Sequence, residues 1–117
     1  MNIKDIVRLL DADIICGSDR LETEVKSACG ADMMSDVLAF VKDQSVLLTG
    51  LSNPQVIRTA EMMDMVCIVL VRGKRPDAMM QELARAKGIV LLCSRHRMYS
   101  ACGILYKNGL GAGETCV

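Results

Sequence analysis

Along this chain, short unbroken apolar runs alternate with stretches in which apolar residues recur every three or four positions. Residues 66–71 (Val-Cys-Ile-Val-Leu-Val) and 88–92 (Gly-Ile-Val-Leu-Leu) are the clearest runs. Runs of that length, rich in branched residues and closed by basic turns, predict strands buried on both faces. Between them Met79, Leu83 and Ala86 share a helical face. The unit is strand–helix–strand, which calls for parallel strands and a covering helix.

The same rhythm extends in both directions. Ile3, Ile6, Val7 and Leu10 form the apolar stripe of an amphipathic helix, with Asn2 as its N-cap. Asp13–Cys16 is predicted to be a short strand stopped by Gly17-Ser18-Asp19, and the weak alternation of Glu24–Cys29 predicts a second, edge-like strand. After the turn Gly30-Ala31-Asp32, Ser35 is expected to cap a short helix reaching about Val41, with Asp36 in its first turn. Ser45–Thr49 reads as a buried strand. Asn53 and Pro54 then start a helix to about Met63 whose inner side carries Val56, Ile57, Ala60 and Met63. Pro76-Asp77 opens the next helix and Gly88 ends it. Ser94 is expected to cap a closing helix with Met98, Ala101, Cys102 and Leu105 as its buried stripe and Asn108-Gly109 as its end.

The predicted order is α-β-β-α-β-α-β-α-β-α. It implies an α/β fold with a mainly parallel sheet flanked by helices, the first two strands forming an edge or a smaller lobe. One domain is expected over residues 1–109, followed by a flexible, Gly-rich C-terminal tail over 110–117.

Composition narrows the function. A chain of 117 residues with 51% hydrophobic positions is long enough for one ordinary core. No apolar run approaches the roughly 20 residues needed to cross a bilayer. Lys4, Asp5 and Arg8 break up the N-terminal stretch where a signal peptide would be apolar. A cytoplasmic protein without membrane contact is expected. Net charge is zero and the aromatics are only Phe40, Tyr99 and Tyr106, which argues against nucleic-acid binding. The charge is nevertheless polarised. Residues 1–57 hold 5 Lys/Arg against 9 Asp/Glu, and residues 58–117 hold 9 against 5. Solvated helix faces would account for this, as would a basic functional edge or a head-to-tail dimer.

Six cysteines (16, 29, 67, 93, 102 and 116) include no Cys-x-x-Cys pair, and the only histidine is His96. No metal-ligand spacing results, and buried structural thiols are expected. A thiol-based metal or redox carrier built from distant positions is a third-ranked alternative.

Parallel strands would gather three strand-to-helix turns at one rim, where open α/β sheets bind ligands. Thr49, Ser52 and Asn53 lie on the first turn, Arg75 on the second, and Ser94 and Arg95 on the third. With Lys74 and Arg97 nearby they form a candidate site for a phosphate, nucleotide or carboxylate. The competing structural reading is that Asn53 and Ser94 only cap helices while the arginines lie on the surface. Asp32 and Ser35 form a second candidate site, in which buried Met33 and Met34 would shield the carboxylate. Its structural reading is a turn-stabilising Asp with a Ser cap. His96 has no visible partner to orient it, and no strand precedes Gly109-Leu110-Gly111-Ala112-Gly113, so neither suggests catalysis. No catalytic residue and no cofactor is assigned.

Several stretches together carry a family likeness: Ile3–Leu10 followed by Cys16-Gly17; Ala31-Asp32-Met33-Met34-Ser35-Asp36-Val37-Leu38; Leu47-Leu48-Thr49-Gly50; Gly73-Lys74-Arg75-Pro76-Asp77; and Lys87-Gly88-Ile89-Val90-Leu91-Leu92 with the final helix. On these, residues 1–109 resemble a stand-alone DRTGG domain. The resemblance implies a fold like the N-terminal domain of HPr kinase/phosphorylase. It also implies a regulatory or assembly role, since such domains accompany CBS pairs, inorganic pyrophosphatase or phosphotransacetylase modules. The string Asp-Arg-Thr-Gly-Gly is absent, and Leu48-Thr49-Gly50-Leu51-Ser52-Asn53 keeps only Thr-Gly. The expected function is a non-catalytic regulatory or accessory domain sensing a small anion, such as a nucleotide or phosphorylated metabolite. It would act as a homodimer or on a partner enzyme or regulatory protein. The alternative is a purely structural protein–protein interaction module whose Met-rich helices supply the contact face.

Overall fold

The computed structural model of the chain describes residues 1–40 and 43–113. Its elements are α1 (Ile3–Leu10), β1 (Asp13–Cys16), a 3-10 turn (Ser18–Arg20), β2 (Ser27–Gly30), α2 (Met34–Leu38), β3 (Ser45–Thr49), α3 (Pro54–Met62), β4 (Cys67–Leu70), α4 (Ala78–Lys87), β5 (Val90–Cys93) and α5 (Met98–Lys107). The strands form a single sheet in the order β1-β5-β4-β3-β2. From β2 to β5 all pairings are parallel, and β1 joins β5 antiparallel.

The expected α/β architecture is present, and side-chain alternation explains its layering. Every residue of β3, β4 and β5 is buried. Leu47, Ile68 and Leu91 point to the face covered by Val37 of α2, Val56, Ile57 and Ala60 of α3, and Met80 and Ala84 of α4. Val46, Leu48, Cys67, Val69, Val90 and Leu92 point to the other face, under Ile3, Ile6 and Leu10 of α1 and Ala101 and Leu105 of α5. The chain steps in one direction from β2 to β5, so crossovers of one hand place α2, α3 and α4 on the same side. Burying each large aliphatic side chain contributes roughly 1.5–3 kcal/mol.

The helix ends follow local chemistry. Asn2 and Asp5 form a reciprocal capping box at α1. Asn53 caps α3 with Pro54 in its first turn, Asp77 caps α4, and Gly88 closes α4 at φ 70°.

Tertiary packing departs from the expected pattern at five places. The first two strands form no separate lobe; β1 and β2 lie at opposite edges of the one sheet. Residues 21–26 carry the chain between them along α1, where the amides of Ile3 and Val25 bond to the carbonyls of Thr23 and Met1. The second helix is shorter than expected and begins at Met34, with Met33 rather than Ser35 in the capping position and no side-chain cap. Val41, its expected end, lies outside the described residues. Met33 is 64% exposed, because a helix of five residues buries only Val37 and leaves its cap at the rim. On α4 the inner face is Met80 and Ala84, with Leu83 partly buried and Met79 outside. Finally, packing continues past residue 109, since Leu110 is buried and the Gly111 carbonyl accepts the Ala28 amide at 2.9 Å. The expected tail therefore starts no earlier than Ala112, and residues 114–117 lie outside the described part.

Two substitutions test this packing. Ile68→Ala, at the centre of the sheet, is expected to lower unfolding free energy by about 2–5 kcal/mol in urea titration. Leu110→Ala is expected to cost about 2 kcal/mol or more, whereas a frayed tail would show no change.

Candidate functional site

Parallel alignment brings the outgoing turns of β3, β4 and β5 to one rim of the sheet, as the sequence suggested. A cleft of about 730 Å³ opens there. Its basic side is formed by Gly73 and Arg75 from the β4–α4 turn and Ser94, Arg95 and His96 from the β5–α5 turn. Its acidic side comes from the turn between α1 and β1, with Asp11 and Asp13 beside Leu10. Cys93 completes the lining.

The two basic turns are stitched together by their backbones. The Arg72 amide donates to the His96 carbonyl at 2.8 Å and the Gly73 amide to the Ser94 carbonyl at 3.0 Å. Arg72 and Gly73 both adopt positive φ, 61° and 70°. Nothing crowds the position of a Gly73 Cβ, so glycine is favoured there by conformation and not by space. Arg75 reaches across the cleft and places Nη1 2.8 Å from Asp13 Oδ2. Both side chains are largely in solvent, at 60% and 71%. The Asp13 hydrogen bond pushes the Arg75 guanidinium still higher than its ordinary value. No carboxylate among the described residues pairs with Arg72, Lys74, Arg95 or Arg97.

The expected ligand-binding residues divide into two groups. Arg75, Ser94 and Arg95 line the cleft. Thr49, Ser52 and Asn53 stand on the neighbouring β3–α3 loop, each engaged within the protein. Buried Thr49 donates its hydroxyl to Asp32 Oδ1 (3.3 Å) and accepts the Leu51 amide (3.1 Å). The Ser52 hydroxyl donates to the Arg75 carbonyl at 2.8 Å, which sets where the Arg75 turn sits. Asn53 Oδ1 accepts the Gln55 amide. Ser94 does not cap α5; Arg97 holds that position without a side-chain cap. The buried Ser94 hydroxyl instead donates to the Leu10 carbonyl at 2.9 Å and accepts the His96 amide at 3.2 Å. It thereby ties the β5–α5 turn to the end of α1.

The second expected site merges with the first rim. Asp32 Oδ1 accepts the Gly50 amide at 2.7 Å as well as the Thr49 hydroxyl. This joins the end of β2 to the end of β3. Ser35 is exposed on α2, and no side-chain bond ties it to Asp32.

The linear pattern gives Asp11, Asp13 and His96 no place in the site, yet all three line the cleft. Asp11 adopts φ 49° at the C-terminus of α1, but only the antiparallel docking of β1 against β5 carries it to the cleft.

The described thiols are Cys16, Cys29, Cys67, Cys93 and Cys102. Burial raises the pKa of each, most of all for the fully enclosed Cys67. Among the described residues no three His, Cys, Asp or Glu side chains are grouped to hold a metal ion, and no helix is long and apolar enough to cross a membrane. Cys116 lies outside them.

Against known proteins, the family model described as the DRTGG domain matches residues 5–107. Among solved structures, the chain is similar to the CBS and DRTGG domains of the regulatory region of Clostridium perfringens pyrophosphatase, complexed with the activator diadenosine tetraphosphate. Identity is 14% and the TM-score 0.72, over 99% of this chain and 50% of that one. The present chain thus spans half the length of that structure, and at such identity the likeness is one of fold. Curated proteins give no match.

Asp32→Ala strands the buried Gly50 amide and the Thr49 hydroxyl, and is expected to cost about 1–3 kcal/mol in chemical denaturation. Asp32→Asn keeps an acceptor at the same place and is expected to lose clearly less. Iodoacetamide at pH 7 is expected to leave Cys67 unmodified in the native protein and to label it once urea unfolds the chain; mass spectrometry of the peptides reads the difference.

Proposed function

This chain belongs to the DRTGG domain family, and from that premise we propose that it is a non-catalytic regulatory or accessory domain sensing a small anionic ligand, such as a nucleotide, at the C-terminal rim of its sheet. One observation carries the proposal: Arg75, Arg95, His96 and Ser94 converge from two different turns on one cleft. Its volume of about 730 Å³ falls within the ordinary range for small-molecule sites. The guanidinium groups would hold phosphate oxygens by charge-assisted hydrogen bonds. The regulatory region of the similar pyrophosphatase was solved with a dinucleotide activator, which supports a nucleotide as the first ligand to try.

The binding would act by selecting among arrangements of the rim. A ligand bridging Arg75 and Arg95 favours those in which the two guanidinium groups, carried on turns already joined backbone to backbone, converge on it, and a partner docked on that rim reads the difference. Ser52, holding the Arg75 carbonyl, and Ser94, holding the end of α1, would extend the effect to α3 and α1.

A second reading, an interaction module without a ligand, draws on α5. Tyr99 and Tyr106 stand seven residues apart, hence on one helical face, and are 92% and 74% exposed. Aromatic side chains presented this way suit a contact with a second copy or a partner protein.

The proposal is tested by thermal shift with a panel of nucleotides and phosphorylated metabolites. A nucleotide is expected to raise the melting temperature of the wild-type chain. The variant Arg75→Ala with Arg95→Ala is expected to melt near the wild-type temperature without ligand, since both side chains are exposed, and to show no ligand-induced rise. An undiminished rise in the double variant removes this cleft as the site; no rise with any compound favours the module without ligand.

A further inference from the structure

We infer that Asp13 is a built-in competitor for this cleft: its carboxylate occupies the guanidinium of Arg75, and a ligand phosphate binds by taking its place. The inference rests on the reading of the cleft as an anion site. Arg75 Nη1 and Asp13 Oδ2 lie 2.8 Å apart although the residues are 62 positions apart in sequence. They come from opposite walls, Arg75 from the β4–α4 turn and Asp13 from the first position of β1. In the antiparallel register Asp13 pairs with Cys93, the last residue of β5, and the chain then continues directly into the lining residues Ser94 and Arg95. The carboxylate therefore stands where the rim would otherwise offer Arg75 to an incoming anion.

Exposure makes the arrangement exchangeable. Both side chains are mostly in solvent, and exposed ion pairs of this kind are weakly held. A phosphate carrying more charge than one carboxylate, and able to reach Arg95 as well, can displace Asp13 without disturbing the core. Asp11, the other acid of the cleft, has no cationic partner among the described residues. It supplies a control of the same charge that lacks the pairing. The consequence is a cleft whose affinity for anions Asp13 lowers by the modest amount an exposed ion pair is worth.

Calorimetric titration of the full chain with inorganic pyrophosphate at low ionic strength tests this in wild type, Asp13→Asn, Asp11→Asn, Arg75→Ala and the Asp13→Asn/Arg75→Ala double variant. Asp13→Asn is expected to tighten binding about two- to fivefold, the scale of an exposed ion pair, and Asp11→Asn to change it less. With Arg75 absent, Asp13→Asn is expected to make no difference, because there is no guanidinium left to release. Equal affinity of wild type and Asp13→Asn overturns the inference. So does equal tightening by Asp11→Asn, or tightening that persists without Arg75, since either means simple repulsion; in these cases the anion cleft stands. Pyrophosphate binding to neither wild type nor Asp13→Asn overturns the reading of the cleft itself, and the competition with it.

Discussion

The parallel ladder from β2 to β5 is the constraint on which every other feature of this molecule depends. Its strands pair in chain order, with Val46 opposite Cys67 and Cys67 opposite Val90. Each strand therefore leaves the sheet at the same rim, and each following turn must be solved there. Because β3, β4 and β5 are buried on both faces, the register is held by two cores at once. A slip of one residue would turn Leu47, Ile68 and Leu91 away from α2, α3 and α4 and towards α1 and α5. No such slip preserves either core, so the rim inherits the rigidity of the sheet.

On that base the rim is built in two layers. The inner layer is a set of internal hydrogen bonds: Asp32 to Gly50 and Thr49, Ser52 to the Arg75 carbonyl, Ser94 to Leu10, and the paired turns at 72–73 and 94–96. These polar groups are satisfied within the protein and position the loops. The outer layer is the charged one: Arg75, Arg95, Asp11 and Asp13, all exposed. The division explains why a site built on short polar loops keeps a defined shape while its charged groups remain free to exchange partners.

The edge strand gives the cleft its particular chemistry. Sheets of this kind often carry one antiparallel strand at an edge. Here that reversal points the start of β1, and the end of α1 before it, at the rim where the other strands finish. Two acids are thereby set against two arginines, and a cleft that would be purely basic becomes balanced in charge.

Much of this was legible in the linear pattern. The apolar runs of β3, β4 and β5 announce strands because they are short, rich in branched residues and bounded by turns. Asn2, Asn53, Asp77 and Gly88 mark helix ends because their side chains, or the lack of one, satisfy or permit the terminal backbone. These are local preferences, and they act within a few residues. Parallel strands also put the turns that carry Arg75, Ser94 and Arg95 at one rim, though the same reasoning placed Thr49, Ser52 and Asn53 in the cleft, where they do not stand. What lay beyond the sequence was every feature that depends on a distant partner. The phase of α4, with Met80 inside and Met79 outside, is decided by which side chain meets the sheet when two methionines are adjacent. Ser94 abandons a helix cap because a carbonyl of α1 lies within reach of its hydroxyl, and Asp13 faces Arg75 because β1 docks antiparallel. Local chemistry thus chose the elements and their ends. The docking of those elements chose which polar atoms meet, because a hydrogen bond between groups many residues apart exists only once the layers have packed.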